Sequence, residues 1–202
     1  MKKMFSFALA ATLLAVMCAL PASAASLTHT VVQGDTMWKL AVKYQVGTSE
    51  IIEANPHISN PDLIYPGQVL SIPQLDPLVR SFEQEVIRLV NEQRVKNGLN
   101  PLTENWQLSR VARYKSQDMV DNRYFSHTSP TYGSPFQMIR DFGISFRRAG
   151  ENIAYGQRTP QAVVNAWMNS SGHRANILNA SYTQIGVGYV AEGNYWTQMF
   201  IG

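Results

Sequence analysis

"TPQAVVNAWMNSSGHRANILNASYTQIGVGYV", residues 159–190, changes its hydrophobic period partway along, and this change decides the fold class. The first part has apolar residues at helical spacing, with Pro160 in the first turn, where proline is well tolerated. Residues 183–202 instead alternate between apolar and polar positions and contain Gly193-Asn194, which predicts a β-hairpin. Helices followed by a closing hairpin favour an α+β domain built in layers.

Helical spacing also predicts three helices before this stretch, over residues 81–98, 103–122 and 134–143. On the second of these helices, Asp118 and Asp121 lie among Arg and Lys residues, so we expect them on a solvated face. Three aromatic residues at element spacing are predicted to lie in the core, namely Tyr114, Trp167 and Trp196.

A second pattern covers residues 28–73 and reads strand, helix, helix, strand. Asp35 or Thr36 can cap the first helix, and Asn55-Pro56 ends the second. The proline-flanked "PQLDPL", residues 73–78, then marks a joint. The sequence therefore predicts a small domain over 28–73, a short linker over 74–80 and a second domain over 81–202.

The N-terminus has the pattern of a secretory signal. Lys2 and Lys3 are followed by an apolar run to Leu20 and by the small residues of "PASA", residues 21–24. Cleavage after Ala24 would export the protein without a transmembrane anchor, because the apolar run is short. The signal would also carry away Cys18, the single cysteine. The exported chain is therefore free of disulfides, which is more typical of bacterial than of animal or plant secreted proteins.

The charge balance argues against nucleic acid as a partner. The formal net charge of the full chain is +3, and loss of two signal lysines reduces it to +1. A chain with so little excess positive charge has no strong field for phosphate backbones.

Three polar residues stand in helix ends or loops, where functional side chains are often presented: His127, Glu151 and His173. His173 follows Ser171-Gly172, where we expect the fourth helix to break. The three side chains could bind a divalent metal such as zinc. They could also act as acid and base without a metal, or form a hydrogen-bonded cluster that fixes three loops. Their spacing does not choose among these alternatives.

The N-terminal domain resembles the lysin-motif (LysM) family. The resemblance covers "HTVVQGDTMWKLAVKYQVGTSEIIEANP", residues 29–56, and "LIYPGQVLSIP", residues 63–73. It implies binding of peptidoglycan or a chitin-like glycan that contains N-acetylglucosamine. The implied groove lies between the loop after the first strand and the loop before the last. The groove residues are Gly34, Asp35, Thr36 and Met37 in the first loop, and Asn60, Pro61, Asp62, Leu63, Ile64 and Tyr65 in the second.

The C-terminal domain is similar to the CAP superfamily of cysteine-rich secretory, antigen 5 and pathogenesis-related proteins, and more narrowly to its bacterial branch without disulfides. The motifs that carry this resemblance are "NEQRVKNGLNPL" (91–102), "YFSHTSP" (124–130), "AGENIAYG" (149–156), residues 162–190 and "YWTQMF" (195–200). The resemblance implies a three-layer α-β-α sandwich with a cleft. In many members, this cleft holds two histidines and two glutamates and can take a divalent metal.

Only part of that cleft carries over to this chain. His127 matches the first histidine and Glu151 the glutamate of the Gly-Glu-Asn motif. Ser170 and Ser181 stand where the second glutamate and second histidine are expected, and His173 belongs to the bacterial pattern. Half of the tetrad is therefore replaced, so no cofactor is assigned beyond the option of a divalent metal at His127, Glu151 and His173.

These features predict a secreted protein that binds peptidoglycan through its LysM domain and presents a CAP domain at the cell wall or spore envelope. Two alternatives remain for the CAP cleft. One is a metal-assisted hydrolase acting on wall components or peptides, and the other is binding of a lipid or peptide. Whether the protein is an enzyme stays open, because no activated nucleophile is visible and fold alone names no reaction.

Overall fold

The computed structural model of the chain describes residues 27–202. The predicted signal peptide, residues 1–24, and Cys18 therefore lie outside the described residues. The N-terminal domain, residues 27–73, has the predicted order of strand, helix, helix and strand. Its elements are β1 (Leu27–Thr30), α1 (Met37–Tyr44), α2 (Thr48–Glu53) and β2 (Val69–Ile72).

The two strands of the N-terminal domain pair in antiparallel fashion, with Leu27 opposite Ile72. Asn55 is fully buried and ties α2 to β2, because its side chain donates to Ile51 O and exchanges two hydrogen bonds with the backbone of Ser71. One small core closes the domain, and it contains Val31, Met37, Leu40, Ala41, Val46, Ile51, Leu70 and Ile72.

The C-terminal domain, residues 77–202, alternates helices and strands. Its elements are α3 (Pro77–Lys96), β3 (Thr103–Glu104), α4 (Trp106–Asp121), α5 (Pro135–Asp141), β4 (Ala149–Tyr155), α6 (Pro160–Asn169), α7 (Ser171–Ile177), β5 (Gln184–Val190) and β6 (Tyr195–Ile201). Within residues 27–202, no helix has the length and apolar character needed to cross a membrane.

The four strands of the C-terminal domain form one sheet in the order β3-β5-β6-β4. β6 is antiparallel to both neighbours, and the short β3 is parallel to β5. One face of the sheet packs on α3, α6 and α7 through a core that includes Trp167, Trp196 and Phe200, and the other packs on α4 and α5 through a core that includes Val111 and Met199. The predicted α+β class, the three layers and the closing hairpin are confirmed.

Two glycines of β5 let α4 approach the sheet closely. A Cβ atom at Gly186 would lie 2.4 Å from the backbone of Leu108, and one at Gly188 would lie 2.1 Å from the backbone nitrogen of Arg113. Neither position leaves room for a side chain, because the obstacle is helix backbone. The "GVG" at 186–188 is thus a packing feature of the sheet's α4 face.

β4 lies at the edge of the sheet, where its outward carbonyl groups need partners. Asn176 of α7 donates its side-chain amide to Glu151 O, and Trp167 of α6 donates its indole N–H to Ile153 O. These two side chains cover the edge, so α6 and α7 hold the strand that carries Glu151.

The predicted linker over 74–80 is too long at its C-terminal end. Helix α3 begins at Pro77, because the side chain of Asp76 accepts a hydrogen bond from Leu78 N and caps the first turn. An aspartate followed by proline is a helix start in its own right. Tyr114 also differs from its prediction, since it is only half-buried, whereas Trp167 and Trp196 lie in the core as predicted.

The two domains contact each other through α2 and α4. The Glu50 carboxylate accepts hydrogen bonds from Arg110 Nε at 2.5 Å and from the Tyr114 hydroxyl at 2.9 Å. The Arg110 guanidinium lies so close to Gly47 that a Cβ atom there would be 2.2 Å from Nη2. A cavity of about 200 Å³ beside this contact is lined by both domains, including Val46 and Trp106.

Candidate functional site

His127 and Glu151 form a direct pair at the edge of the sheet. His127 Nδ1 lies 2.7 Å from Glu151 Oε1. The side chain of Glu151 is only 2% exposed, whereas that of His127 is 53% exposed. Glu151 was expected in a loop, but it lies in β4 opposite Met199 of β6. A buried carboxylate with one accessible histidine partner is therefore the centre of the site.

Asp118 holds the loop that carries His127. It is buried, and its carboxylate accepts hydrogen bonds from Tyr124, Ser129 at 2.7 Å, Thr131 at 2.6 Å and the side-chain amide of Asn122 at 2.8 Å. The prediction that Asp118 lies on a solvated face is wrong, because the loop folds back over the end of α4. Asp121 is exposed as expected.

Lys115 is a buried member of the site that the sequence reading missed. Its side chain is fully buried, and Nζ donates to the Tyr124 hydroxyl and to Ser126 O, each at 2.8 Å. The helical period indicates this burial, since Lys115 falls on the same face of α4 as the buried Leu108 and Val111. The lysine thus joins Asp118 in fixing the His127 loop.

The electrostatics of the pair follow from burial and proximity. Burial raises the pKa of Glu151, although the hydrogen bond from His127 and the charges of Lys115 and His127 oppose that effect. The hydrogen bond to Glu151 raises the pKa of His127, against a smaller opposing effect of burial. A carboxyl group and an imidazole joined by a direct hydrogen bond are an arrangement that suits acid–base chemistry.

One oxygen of Glu151 is not satisfied. Oε2 is buried and has no hydrogen-bond partner among residues 27–202. A buried carboxylate oxygen without a donor is costly to the folded protein, so it is a position where a ligand donor would be stabilised.

His173 lies near the pair without joining it. It belongs to the short helix α7, so the expected break of the fourth helix instead occurs at Ser170, between α6 and α7. Its backbone carbonyl accepts a hydrogen bond from Asn152, the residue after Glu151. Burial lowers the pKa of His173, and the nearby charge of His127 lowers it further.

The donor set does not fit the metal site implied by the family resemblance. Ser170 ends α6, and the hydroxyl of Ser181 donates to the side chain of Asn179 at 2.6 Å. Across residues 27–202, no group of three or more His, Cys, Asp or Glu side chains is placed to hold a metal ion. The proposed set of His127, Glu151 and His173 is therefore not assembled as metal ligands.

The two loops of the predicted glycan groove lie side by side. Val31 N donates to Gln68 O and Gly67 N donates to Val31 O, which sets the end of the second loop beside the start of the first. Leu63 and Tyr65 are 51% and 55% exposed, respectively. Exposed apolar side chains beside backbone polar groups can pack on the N-acetyl methyl and sugar faces of a glycan.

Within the first loop, the side chains are already engaged. Asp35 accepts hydrogen bonds from Val32 N and contacts His29 Nε2 at 2.8 Å, and Thr36 caps α1 through Lys39 N. Both side chains therefore shape the loop, and Gly34 O accepts a further hydrogen bond from Lys39 Nζ at 2.6 Å. The remaining predicted groove residues are Gly34, Met37, Asn60, Pro61, Asp62 and Ile64, of which Met37 is buried in the core.

Two protein-family models match this chain, one in each domain. The family model described as "CAP: Cysteine-rich secretory protein family" matches residues 87–200, and the model described as "LysM domain" matches residues 29–73. The uncharacterized protein YkwD of Bacillus subtilis is 60% identical over 124 residues, which are 61% of this chain and 48% of YkwD.

Two further proteins are similar to shares of this chain that differ in length. The spore coat assembly protein ExsA of Bacillus cereus is 47% identical over 45 residues, which are 22% of this chain and 7% of that protein. The crystal structure of an extracellular protein containing a SCP domain from Bacillus anthracis has a TM-score of 0.60 and 36% identity, over 67% of this chain and 47% of that chain. This chain thus spans half or less of the length of these three proteins.

Proposed function

The chain belongs to the cysteine-rich secretory protein (CAP) family and carries a LysM domain, and from that premise we propose that it is an exported bacterial wall protein. Residues 28–73 bind peptidoglycan, and residues 81–202 present the CAP domain at the wall. The signal at residues 1–24 directs export and is then removed. The similarity of 45 residues of this chain to the spore coat assembly protein ExsA supports placement at the spore envelope as one location.

One observation carries the binding proposal. Leu63 and Tyr65 are exposed on the second loop, whose end is hydrogen-bonded to Val31 at the start of the first loop, and grouped exposed apolar side chains mark binding surfaces. A glycan that runs between the two loops would cover both side chains.

Co-sedimentation with purified peptidoglycan tests this function. Residues 25–202 should pellet with sacculi at moderate salt, and Leu63→Ala/Tyr65→Ala should weaken binding by about tenfold or more, since each anchor contributes about 1 kcal/mol or more. Val95→Ala is a matched control, because Val95 is equally exposed but lies on α3 of the other domain. If the parent chain stays in the supernatant, wall binding is refuted.

Hydrolysis of a wall component is a second candidate function, and the His127–Glu151 pair favours it. We propose that Glu151 exchanges a proton with the substrate or an attacking water while His127 holds the carboxyl group in place. The chemistry is assigned to these two side chains without a metal, because the donor set does not fit one.

Release of soluble fragments from labelled sacculi tests this second function. Glu151→Gln should abolish release while leaving co-sedimentation intact, because the amide is similar in shape but cannot accept a proton. Glu92→Gln, which changes an exposed acid on α3, serves as control. An absence of fragments from the parent chain would leave the CAP domain as a binding or scaffolding unit.

A further inference from the structure

Three aromatic side chains form a surface cluster beside the His127–Glu151 pair: Phe125, Tyr155 and Tyr195, here called the aromatic platform. Phe125 and Tyr155 lie edge-to-face with ring centroids 4.7 Å apart, and Tyr155 stacks on Tyr195 at 5.8 Å. Phe125 and Tyr155 remain 45% and 56% exposed, respectively. Large exposed rings grouped in this way present an apolar face with hydroxyl groups at its margin.

The platform is held rigidly by the surrounding fold. Tyr155 and Tyr195 are register partners in β4 and β6, and the ring of Tyr195 packs over Gly193, where a Cβ atom would lie 2.7 Å from the ring. Phe125 follows Tyr124, whose hydroxyl is bonded to Asp118 and Lys115. A ligand would therefore meet preformed rings and lose little free energy in ordering them.

The platform and the His127–Glu151 pair share the same loop and strand. Phe125 is two residues before His127, and Glu151 and Tyr155 point to the same face of β4 because side chains alternate along a strand. Their Cα atoms are about 13 Å apart at the rise of a strand. This separation corresponds to a short stretch of a linear polymer that touches both sites.

The unsatisfied Glu151 Oε2 adds a second, independent requirement on the ligand. It needs a hydrogen-bond donor, which a hydroxyl or an N-acetyl amide N–H of an amino sugar supplies. A hydrocarbon chain could cover the rings but would leave this oxygen unpaired. Sugar rings meet both needs, since their C–H faces pack on aromatic rings while their edges carry donors.

We propose that the aromatic platform is a sugar-binding subsite of the CAP domain, which seats the glycan strand of peptidoglycan and leads it to Glu151. The proposal rests on the proposed wall-binding function and names the same polymer as the ligand of both domains. The LysM domain and the platform of one chain would then bind two segments of the wall.

NMR titration with the β-1,4-linked tetramer of N-acetylglucosamine tests the subsite on residues 25–202. The aromatic resonances of Phe125 and Tyr155 should shift and saturate, in addition to those of Leu63 and Tyr65 in the LysM groove. Phe125→Ala/Tyr155→Ala should remove the shift at Tyr195, weaken binding to sacculi severalfold and leave the LysM shifts unchanged. Phe125→Trp should retain binding, because it keeps a ring at the surface.

Phe136→Ala is the matched control, because Phe136 is a similarly exposed phenylalanine on α5 outside the platform. Shifts confined to the LysM groove, with sacculus binding equal in the double variant and the parent, would overturn the subsite while leaving the wall-binding function standing. An absence of shifts in both domains, together with no binding to sacculi, would overturn both proposals.

Discussion

Charged groups are concentrated at the end of α4, and their burial sets the properties of the candidate site. Lys115 and Asp118 are both buried and do not pair directly, since each is bonded to Tyr124 and to the loop that follows it. Burial lowers the pKa of Lys115, while the charges of Glu151 and Asp118 oppose that shift. The position of His127 therefore depends on buried polar residues that hold its loop in place.

Replacing Lys115 by methionine should destabilise the protein. The substitution keeps the length of the side chain but leaves the Tyr124 hydroxyl and Ser126 O without their donor, so the free energy of unfolding should fall by about 2–4 kcal/mol. Urea unfolding followed by circular dichroism measures the change. Lys96→Met on the exposed side of α3 should change stability by less than about 0.5 kcal/mol. Equal stability of the two variants would contradict a structural role for Lys115.

The His127–Glu151 pair should make stability depend on pH. The pKa of His127 is raised above 6.5 in the folded protein, so its contribution is fully present below 6.5 and is lost as the pH rises through the raised value. The stability gap between the parent and His127→Gln should therefore be larger at about pH 6 than at about pH 9. Urea titrations at both pH values measure the gap. A gap that is constant or grows with pH would show that His127 is not held by Glu151.

The contact of α4 with β5 is the packing element on which the C-terminal domain depends. Gly186 and Gly188 lie under the helix backbone, with no space for a Cβ atom. The same helix carries Lys115 and Asp118, so the depth at which α4 sits on the sheet also sets the height of the His127 loop above β4.

Gly188→Ala should push α4 off the sheet. The added methyl would meet the backbone of Ala112 and Arg113 at about 2 Å, which the helix can relieve only by moving, so we expect a loss of about 3 kcal/mol or more. Thermal unfolding measures the loss of stability, and the His127 ring resonances report the displacement of the His127 loop. Gly172→Ala is the control, because a Cβ atom there meets nothing within 4 Å and alanine favours helix. A similar melting temperature for both variants would refute the close-packing argument.

At the scale of the whole molecule, the contact between domains places the glycan groove and the CAP site on one body. Burial acts to raise the pKa of Glu50, but hydrogen bonds from Gly47 N and Arg110 outweigh it and lower the pKa. Tyr114, which was expected in the core, completes this contact. The Glu50 carboxylate thus accepts three hydrogen bonds and forms a partly buried ion pair with Arg110. Such charge-assisted bonds are stronger than those of an exposed ion pair.

Arg110→Met should free the two domains from each other. The substitution removes the donor to Glu50 and the cation that lies over the Tyr114 ring, while its flexible chain still covers Phe142. Rotational correlation times from ¹⁵N relaxation should then differ between residues 27–73 and 77–202, whereas the parent should give one value. Arg88→Met, which removes an exposed ion pair within α3, is the control. Separate tumbling in the parent would show that this contact does not hold the domains together.

The sequence by itself determined the elements whose signal is local. Helical period, helix caps and the alternating Gly-Asn hairpin need no distant partner, so the α+β class follows from them. The two family resemblances rest on motifs that occur in order along the chain. His127 and Glu151 were also identified, because their motifs are short and ordered along the chain. The sequence could not show that they touch.

Only the tertiary structure decided which polar residues are buried. Glu151 lies in a strand because β6 pairs with it and α6 and α7 cover its edge, and these contacts join residues 14 or more positions apart. The sequence alone does not show whether Lys115 and Asp118 are exposed or buried on α4. The 122–131 loop, which folds back over the end of the helix, removes them from water. Burial depends on what packs from elsewhere in the chain. For this reason, the site's chemistry came from the fold, while its residues could be named from the sequence.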